Sequence, residues 1–248
     1  MILEQTLSKM HILKLHGMAD ALTEQNQNTM YTELAFNERL GMLIDREITV
    51  RDNRKITNLL RGARLRHSTA CGEEIDFRTP RGLNKEVIVA LMQNNWIKEK
   101  QNVIITGPTG SGKTFIACAL ANSACRGGYS AHYIRLPRLL QEMHIARGDG
   151  SYGKQLSKLA RYSLLVIDDW GLAKMGDKER RDLLEVLEDR HGISSTIVSS
   201  QIPVDKWHDT IGDPTIADAV LDRLVHNAHM ITMDMKVDSM RKLMSKNR

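Results

Sequence analysis

Residues 102–125 read NVIITGPTGSGKTFIACALANSAC, and this stretch decides the fold of the middle of the chain. It begins with a short apolar run, passes through the glycine-rich GPTGSGKT at 107–114, and continues into a segment of helical composition. The octapeptide fits GxxxxGK[ST] and lies between a predicted strand and a predicted helix, as a phosphate-binding loop requires. We therefore predict that a nucleotide phosphate binds the loop residues Gly107, Pro108, Thr109, Gly110, Ser111, Gly112, Lys113 and Thr114.

Each residue type in this loop has a physical reason. Glycines at 107, 110 and 112 permit a tight turn that aims successive backbone N–H groups inward, and the following helix adds the positive end of its dipole. Lys113 is expected to reach the β- and γ-phosphates, and the Thr114 hydroxyl is expected to ligate Mg²⁺. ATP and Mg²⁺ are the predicted ligands.

A second motif, LLVIDDWG, occupies residues 164–171. Its apolar run predicts a central strand that ends in two carboxylates, where the tips of parallel strands meet bound phosphates. Asp168 is placed to hold Mg²⁺, and Asp169 to orient and deprotonate an attacking water. These residues predict ATP hydrolysis to ADP and phosphate, although a solvated pair that only terminates the strand stays the alternative.

The spacing of apolar residues along the chain predicts two domains. Apolar residues recur at spacings of three and four from residue 1 to about 80, which is typical of helices, and TPRGLNK at 79–85 supplies a Pro- and Gly-containing boundary. The predicted domains are 1–80, helical, and 81–248. In the second, short apolar runs alternate with helix-length segments and indicate a parallel sheet between helices; the runs are 102–106, 129–134, 163–167, 195–199 and 229–235.

Composition is that of a globular protein. The 248 residues are 42% hydrophobic and 26% charged, with a formal net charge of +5. No apolar run approaches the length that spans a bilayer, so we expect a cytoplasmic protein without membrane contact. The three cysteines form no CxxC pair, which favours neither a disulfide framework nor a zinc site.

Residues 46–67 concentrate the positive charge. The segment has two acids, Glu47 and Asp52, against seven bases, so its charge of 7 − 2 = +5 equals that of the whole chain. Such a face either contacts nucleic-acid phosphates or is a solvated helix surface. Because the segment contains no aromatic residue, we expect contact with the backbone of duplex DNA and little sequence specificity. The candidate DNA-binding residues are Arg46, Arg51, Arg54, Lys55, Arg61, Arg64 and Arg66.

Two further arginines are candidates for charge stabilisation during phosphoryl transfer. Arg223, in LDRL, is a candidate finger that acts on the nucleotide of a neighbouring subunit. Arg241, in DSMRK, is a candidate sensor of the nucleotide bound to the same subunit. Spacing alone leaves both open to the alternative of a solvated arginine.

Over nearly its whole length the sequence resembles the IstB-like helper ATPases of bacterial insertion sequences, a branch of the AAA+ class close to the DnaC helicase loaders. The two motifs above are shared by many families. More particular are LKLHGMADAL near the N-terminus, the basic LLRGARLRHS, RGLNK, STIVSSQIPVDKWH, IGDPTIADAVLDRLVHNAH and the later SMRK.

The resemblance implies an α/β fold with a P-loop AAA+ core, a parallel five-stranded sheet between helices, and a small all-helical N-terminal domain. It implies that Gln201 is the polar sensor of the γ-phosphate, with Ser200 as the alternative. Arg223 would be the trans-acting finger and Arg241 the second sensor. Asp169 stands where most AAA+ proteins have Glu, a longer side chain.

The expected function is that of an ATP-dependent, DNA-binding helper of transposition. The resemblance implies a homo-oligomer that assembles on duplex target DNA and regulates a cognate transposase through ATP binding and hydrolysis. A DnaC-like replicative helicase loader shares the ATPase core and differs in partner. A small-molecule P-loop kinase and a DNA-binding protein with ATP as a structural ligand are the remaining alternatives.

Overall fold

A computed structural model describes residues 2–172 and 174–234, and Arg241 lies outside them. The chain divides after Asn58 into two compact units. Among the described residues, no helix is both long enough and apolar enough to cross a membrane. The α-helices are α1 (Ile2–Ile12), α2 (His16–Gln27), α3 (Phe36–Ala63), α4 (Lys85–Met92), α5 (Asn95–Lys98), α6 (Lys113–Arg126), α7 (Leu136–Gly148), α8 (Tyr152–Ala160), α9 (Asp177–Glu188), α10 (Trp207–Ile211) and α11 (Pro214–Val225).

The first unit is helical, as predicted. Gly17 in α2 lies so close to α3 that an added Cβ would be 2.8 Å from the Arg46 carbonyl oxygen, so the LHGMADAL segment needs glycine there. The buried Glu47 carboxylate accepts a hydrogen bond from the Met18 backbone N–H at 3.1 Å. Small residues with a buried polar anchor thus fix how α2 crosses α3.

Helical structure ends earlier than the sequence pattern suggested. The 28-residue helix α3 ends at Ala63, and residues 64–84 contain only a short 3₁₀ turn, Gly72–Glu74. Ala70 and Ile75 from this connecting segment are buried in the core below the sheet. Compactness alone does not establish which segments act on their own, so the domain boundary near residue 80 stays a prediction.

The second unit contains a five-stranded parallel sheet, which confirms the predicted architecture. The strands are β1 (Asn102–Thr106), β2 (Ala131–Arg135), β3 (Leu164–Trp170), β4 (Ser195–Ser200) and β5 (Ala228–Thr232), in the order β2-β3-β4-β1-β5. Every pair is parallel. All five carboxyl ends therefore meet at one edge, where an α/β sheet binds its ligands.

Alternate side chains of the strands enter two separate hydrophobic layers. Val103 and Ile105 of β1 pack on one face with Leu120 of α6, whereas Ile104 packs on the other with Met143 of α7. The central strands are buried on both faces, which explains why they appear in the sequence as continuous apolar runs. The layers hold the carboxyl edge of the sheet rigid.

Two strand ends differ from the sequence prediction by three residues, and the other strand bounds agree with it to within two residues. β3 continues past the predicted end at residue 167 to Trp170, with an irregular register against β4 between Ile167 and Trp170. β5 ends at Thr232, before the predicted residue 235, because the Asp234 N–H turns to the Arg81 carbonyl at 2.9 Å. The β3 irregularity contains both predicted catalytic carboxylates and sets their different directions.

Candidate nucleotide-binding site

The GPTGSGKT loop joins β1 to α6 at the carboxyl edge of the sheet. Gly107 adopts a positive φ of 149°, and a Cβ there would overlap the Met233 carbonyl oxygen, so only glycine fits. The Lys113 ammonium donates to the carbonyl oxygens of Gly107 at 2.7 Å and Pro108 at 2.8 Å. Because α6 begins at Lys113, its N-terminus lies next to the loop, an arrangement suited to phosphate.

Asp168 is held by three hydroxyl donors from three different elements. One carboxylate oxygen accepts from the Thr114 hydroxyl at 2.9 Å and the Tyr133 hydroxyl at 2.6 Å, and the other accepts from the Ser199 hydroxyl. Burial and the bond to Asp168 raise the pKa of Tyr133, so it stays a protonated donor. A carboxylate and a hydroxyl oxygen this close are a donor set that suits Mg²⁺.

Asp169 points elsewhere, although it is the next residue. Its φ of 60° is left-handed, a region that Asp and Asn tolerate better than most residues. Its carboxylate accepts a hydrogen bond from the Arg135 guanidinium at 2.5 Å. The Asp169 side chain is 17% exposed and the Arg135 side chain is 53% exposed. The β3 irregularity thus separates a buried carboxylate from one at the cavity surface that pairs with an arginine.

Gln201 follows β4 and lines the same cavity, where its side-chain oxygen accepts from the Thr109 hydroxyl at 2.6 Å. The alternative sensor, Ser200, is buried, and its hydroxyl donates to the Trp170 carbonyl at 3.1 Å and accepts from the Ile202 N–H. Of the two candidates, Gln201 is thus the one whose side chain contacts the phosphate loop.

Arg81, in the RGLNK segment, supports the phosphate loop from outside. It is only 3% exposed, and its guanidinium donates to the Ser111 carbonyl at 2.8 Å and to the Asp76 carbonyl at 2.6 Å. Its Nε atom has no hydrogen-bond partner among the described residues. Burial lowers the pKa of Arg81, and the nearby Asp76 carboxylate opposes that effect. A buried cation therefore fixes the middle of the loop.

The far side of the cavity comes from the segment that follows α3. Arg66 and His67 line it, and the His67 ring lies 5.9 Å from the Phe115 ring, centroid to centroid, with a tilt of 56°. The sequence prediction missed this wall and the polar residues around the carboxylates. They are His67, Asp76, Arg81, Phe115, Tyr133, Arg135 and Ser199.

The positions of residues at predicted strand ends could have identified part of the site that the sequence prediction missed. Arg135 is the last residue of β2 and Ser199 is the next-to-last residue of β4, and the ends of neighbouring parallel strands flank the tip of β3. For the segment 66–81 the sequence contained no such signal, because its position depends on tertiary packing alone.

Arg223 lies outside this cavity. It belongs to α11, and its backbone carbonyl accepts from Asn102 at 3.0 Å, at the amino end of β1 and opposite the phosphate loop. Its guanidinium pairs with Glu188 and donates to the Ala219 carbonyl at 2.8 Å. The geometry therefore excludes action on the nucleotide of the same subunit and leaves action in trans as the prediction.

The seven predicted DNA-binding residues are all exposed, but they do not share one environment. Arg46, Arg51, Arg54, Lys55 and Arg61 belong to α3 and Arg64 follows it, whereas Arg66 lines the nucleotide cavity. Arg51 forms an ion pair with Glu47 at 2.6 Å. The basic segment therefore extends from a helix surface to the candidate site.

The profile of the IstB-like ATP binding protein family matches residues 8–248. The chain is 46% identical over 242 residues to an insertion sequence ATP-binding protein of Sinorhizobium fredii, covering 98% of each chain. It is 48% identical over 203 residues to the IS1162 ATP-binding protein of Pseudomonas fluorescens, covering 82% of this chain and 88% of that protein.

Solved structures share the fold. Aquifex aeolicus DnaA bound to AMPPCP superposes with a TM-score of 0.59 at 17% identity, covering 72% of this chain and 54% of that one. The structure of the DnaC helicase loader superposes with a TM-score of 0.56 at 16% identity, covering 68% of this chain and 98% of that one. These likenesses confirm the AAA+ architecture expected from the sequence. With its P-loop, its paired carboxylates and a match that spans most of its length, the chain belongs to the IstB-like ATP-binding proteins of insertion sequences.

Proposed function

We propose that this protein is an ATPase that assembles on duplex DNA and regulates a partner transposase. The observation that carries the proposal is the arrangement of Thr114, Asp168 and Asp169 beside the phosphate loop. Its membership in an ATP-binding family of insertion sequences supports the nucleotide and the transposition context. DNA binding, oligomerisation and a transposase partner are proposals from the sequence resemblance.

The chemistry follows from the residues present. Bound ATP would offer its phosphates to the loop N–H groups and to the Lys113 ammonium, which now donates to two loop carbonyls. Thr114 and Asp168 would hold Mg²⁺, which supplies charge neutralisation between the β- and γ-phosphates. Asp169 would orient the attacking water, and Gln201 would contact the γ-phosphate. Water adds to the γ-phosphorus as the bond between that phosphorus and the bridging oxygen breaks, and the water proton passes to Asp169 and then to solvent, giving ADP and phosphate.

Basic residues on α3 support the DNA-binding part of the proposal. Their exposed side chains present several positive charges along one helix, a surface that contacts backbone phosphates and makes affinity fall steeply with salt. The helicase-loader alternative has the same core, so only the partner distinguishes it. Co-purification with the transposase of the same insertion sequence, rather than with a replicative helicase, would separate the two.

Sedimentation velocity tests the assembly. The protein is mixed with long duplex DNA in ATP, in ADP and without nucleotide. We expect large DNA-bound assemblies only with ATP. Lys113→Ala should abolish them because ATP binding is lost, whereas Lys178→Ala, an exposed lysine on α9, should behave as wild type. A monomer indifferent to both ligands would refute the proposal and favour the kinase alternative.

Hydrolysis in trans has its own test. In the assembled state Arg223→Ala should abolish phosphate release yet leave ATP binding unchanged, because the side chain lies far from the cavity of its own subunit. Asp169→Asn should also stop turnover and retains a residue type that accepts the left-handed backbone. Wild-type turnover in either variant would contradict the role assigned to that residue.

A further inference from the structure

Arg66 differs from the other basic residues of segment 46–67 in what it faces. It lines the nucleotide cavity together with Lys113, Thr114, Asp168 and Asp169. Its position is three residues beyond Ala63, the last residue of α3. Its guanidinium lies near the carboxylates of Asp168 and Asp169, which sets it apart from the bases on α3.

The hydrogen bonds of Asp168 connect it to Arg66. Tyr133 donates its hydroxyl proton to Asp168 at 2.6 Å, and the Arg66 guanidinium lies beside the same hydroxyl. The contact with Tyr133 and the nearby carboxylates of Asp168 and Asp169 raise the pKa of Arg66. Because a cation beside a phenol oxygen makes the phenol a stronger donor, the guanidinium strengthens the hydrogen bond from Tyr133 to Asp168.

We propose that Arg66 is a positioning residue for ATP hydrolysis: through Tyr133 it fixes the Asp168 carboxylate beside Thr114, and it is not a DNA contact. The inference rests on the proposed ATPase function. It assigns to the segment after α3 a direct part in the nucleotide site. The positions of Thr114 and Asp168, which would hold Mg²⁺, then depend on Arg66, and the position of Arg66 depends on where α3 ends.

The alternative for Arg66 is the phosphate contact predicted from the charge of its segment. The two roles differ in what a substitution changes. A DNA contact affects DNA affinity and its salt dependence and leaves turnover at saturating DNA unchanged. A positioning residue lowers kcat at saturating ATP and DNA and leaves the DNA salt slope at its wild-type value.

A double-mutant cycle provides the experiment, with steady-state phosphate release by the full chain at saturating duplex DNA. Arg66→Gln and Tyr133→Phe should each lower kcat about tenfold, while the KM for ATP changes less than about twofold. Because both substitutions break one relay, the double variant should be no slower than either single variant. Arg66→Lys, which can still donate to Tyr133, should recover most of the rate.

Arg161→Gln is the matched control, since Arg161 is exposed and does not line the cavity. It should retain wild-type kcat, and the unfolding midpoint of each variant shows whether a lost rate reflects lost fold. Multiplicative losses in the double variant, or an Arg66→Gln effect confined to DNA affinity, would overturn the inference. Absence of hydrolysis in the wild type would instead refute the proposed function.

Discussion

Asp169, the carboxylate that we propose for water activation, forms an ion pair with Arg135. In the structure one Asp169 oxygen accepts from the Arg135 guanidinium at 2.5 Å, which leaves fewer lone pairs for a water molecule. We predict that Arg135→Met, which has no donor and no charge, speeds the basal hydrolysis of ATP.

The size of the effect follows from exposure. The Arg135 side chain is 53% exposed and that of Asp169 is 17% exposed, so solvent screens their attraction. The ion pair is therefore favoured over separated side chains by about 1 kcal/mol. Releasing Asp169 therefore raises the hydrolysis rate roughly fivefold, since 1.4 kcal/mol corresponds to about tenfold. Because Arg135 is at the surface, the free energy of unfolding should change by less than about 1 kcal/mol.

The assay is phosphate release at saturating ATP and Mg²⁺, with and without duplex DNA. Arg138→Met is the matched control, because Arg138 is also exposed and pairs with Glu142 at 2.9 Å on α7. The control should retain the wild-type rate. A lower rate in Arg135→Met would mean that the arginine positions Asp169 for catalysis instead of restraining it, and an unchanged rate would mean that the pair has no part in turnover.

Three further variants test other features. Burial lowers the pKa of His132, so below about pH 6.5 the unfolded chain binds a proton that the folded chain does not, and the free energy of unfolding should fall as the pH drops from 7.5 to 5.5. The variant His132→Phe retains the stacking on Tyr162 and should reduce that fall, as measured by denaturant titrations at each pH. Arg190→Met should lower the free energy of unfolding by about 3 kcal/mol, because the buried guanidinium has four oxygen acceptors. Ser199→Ala removes a donor to Asp168 and should raise the Mg²⁺ concentration for half-maximal hydrolysis roughly tenfold.

Local patterns were enough to predict the frame of the site. The loop at 107–114, the strand that contains Asp168 and the order of helix and strand all follow from short-range chemistry and hydrophobic periodicity. What these features share is that neighbours along the chain determine them. The family resemblance, rather than a local pattern, pointed to Gln201, whose side chain lies beside Thr109 in the structure.

The remaining residues depend on register and on distant packing. Nothing in the string IDDWG shows that β3 breaks its register, turning Asp168 toward Ser199 and Asp169 toward Arg135. Arg81 is 30 residues from its acceptor Ser111, so its burial at the loop has no local signal. Charge density grouped Arg66 with the α3 bases because composition does not reveal where a helix ends.

The charged groups proposed for turnover have partners within the subunit, and this bears on how hydrolysis would be controlled. Asp169 pairs with Arg135, and Arg223 pairs with Glu188. Both pairs are partly exposed, so each stabilises the described arrangement by no more than about 1 kcal/mol. A neighbouring nucleotide that offers Arg223 a γ-phosphate would outcompete a screened glutamate, because a multiply charged phosphate accepts two guanidinium hydrogen bonds. Assembly would therefore release the finger at little cost, and an isolated subunit should hydrolyse ATP slowly even with its own cavity filled.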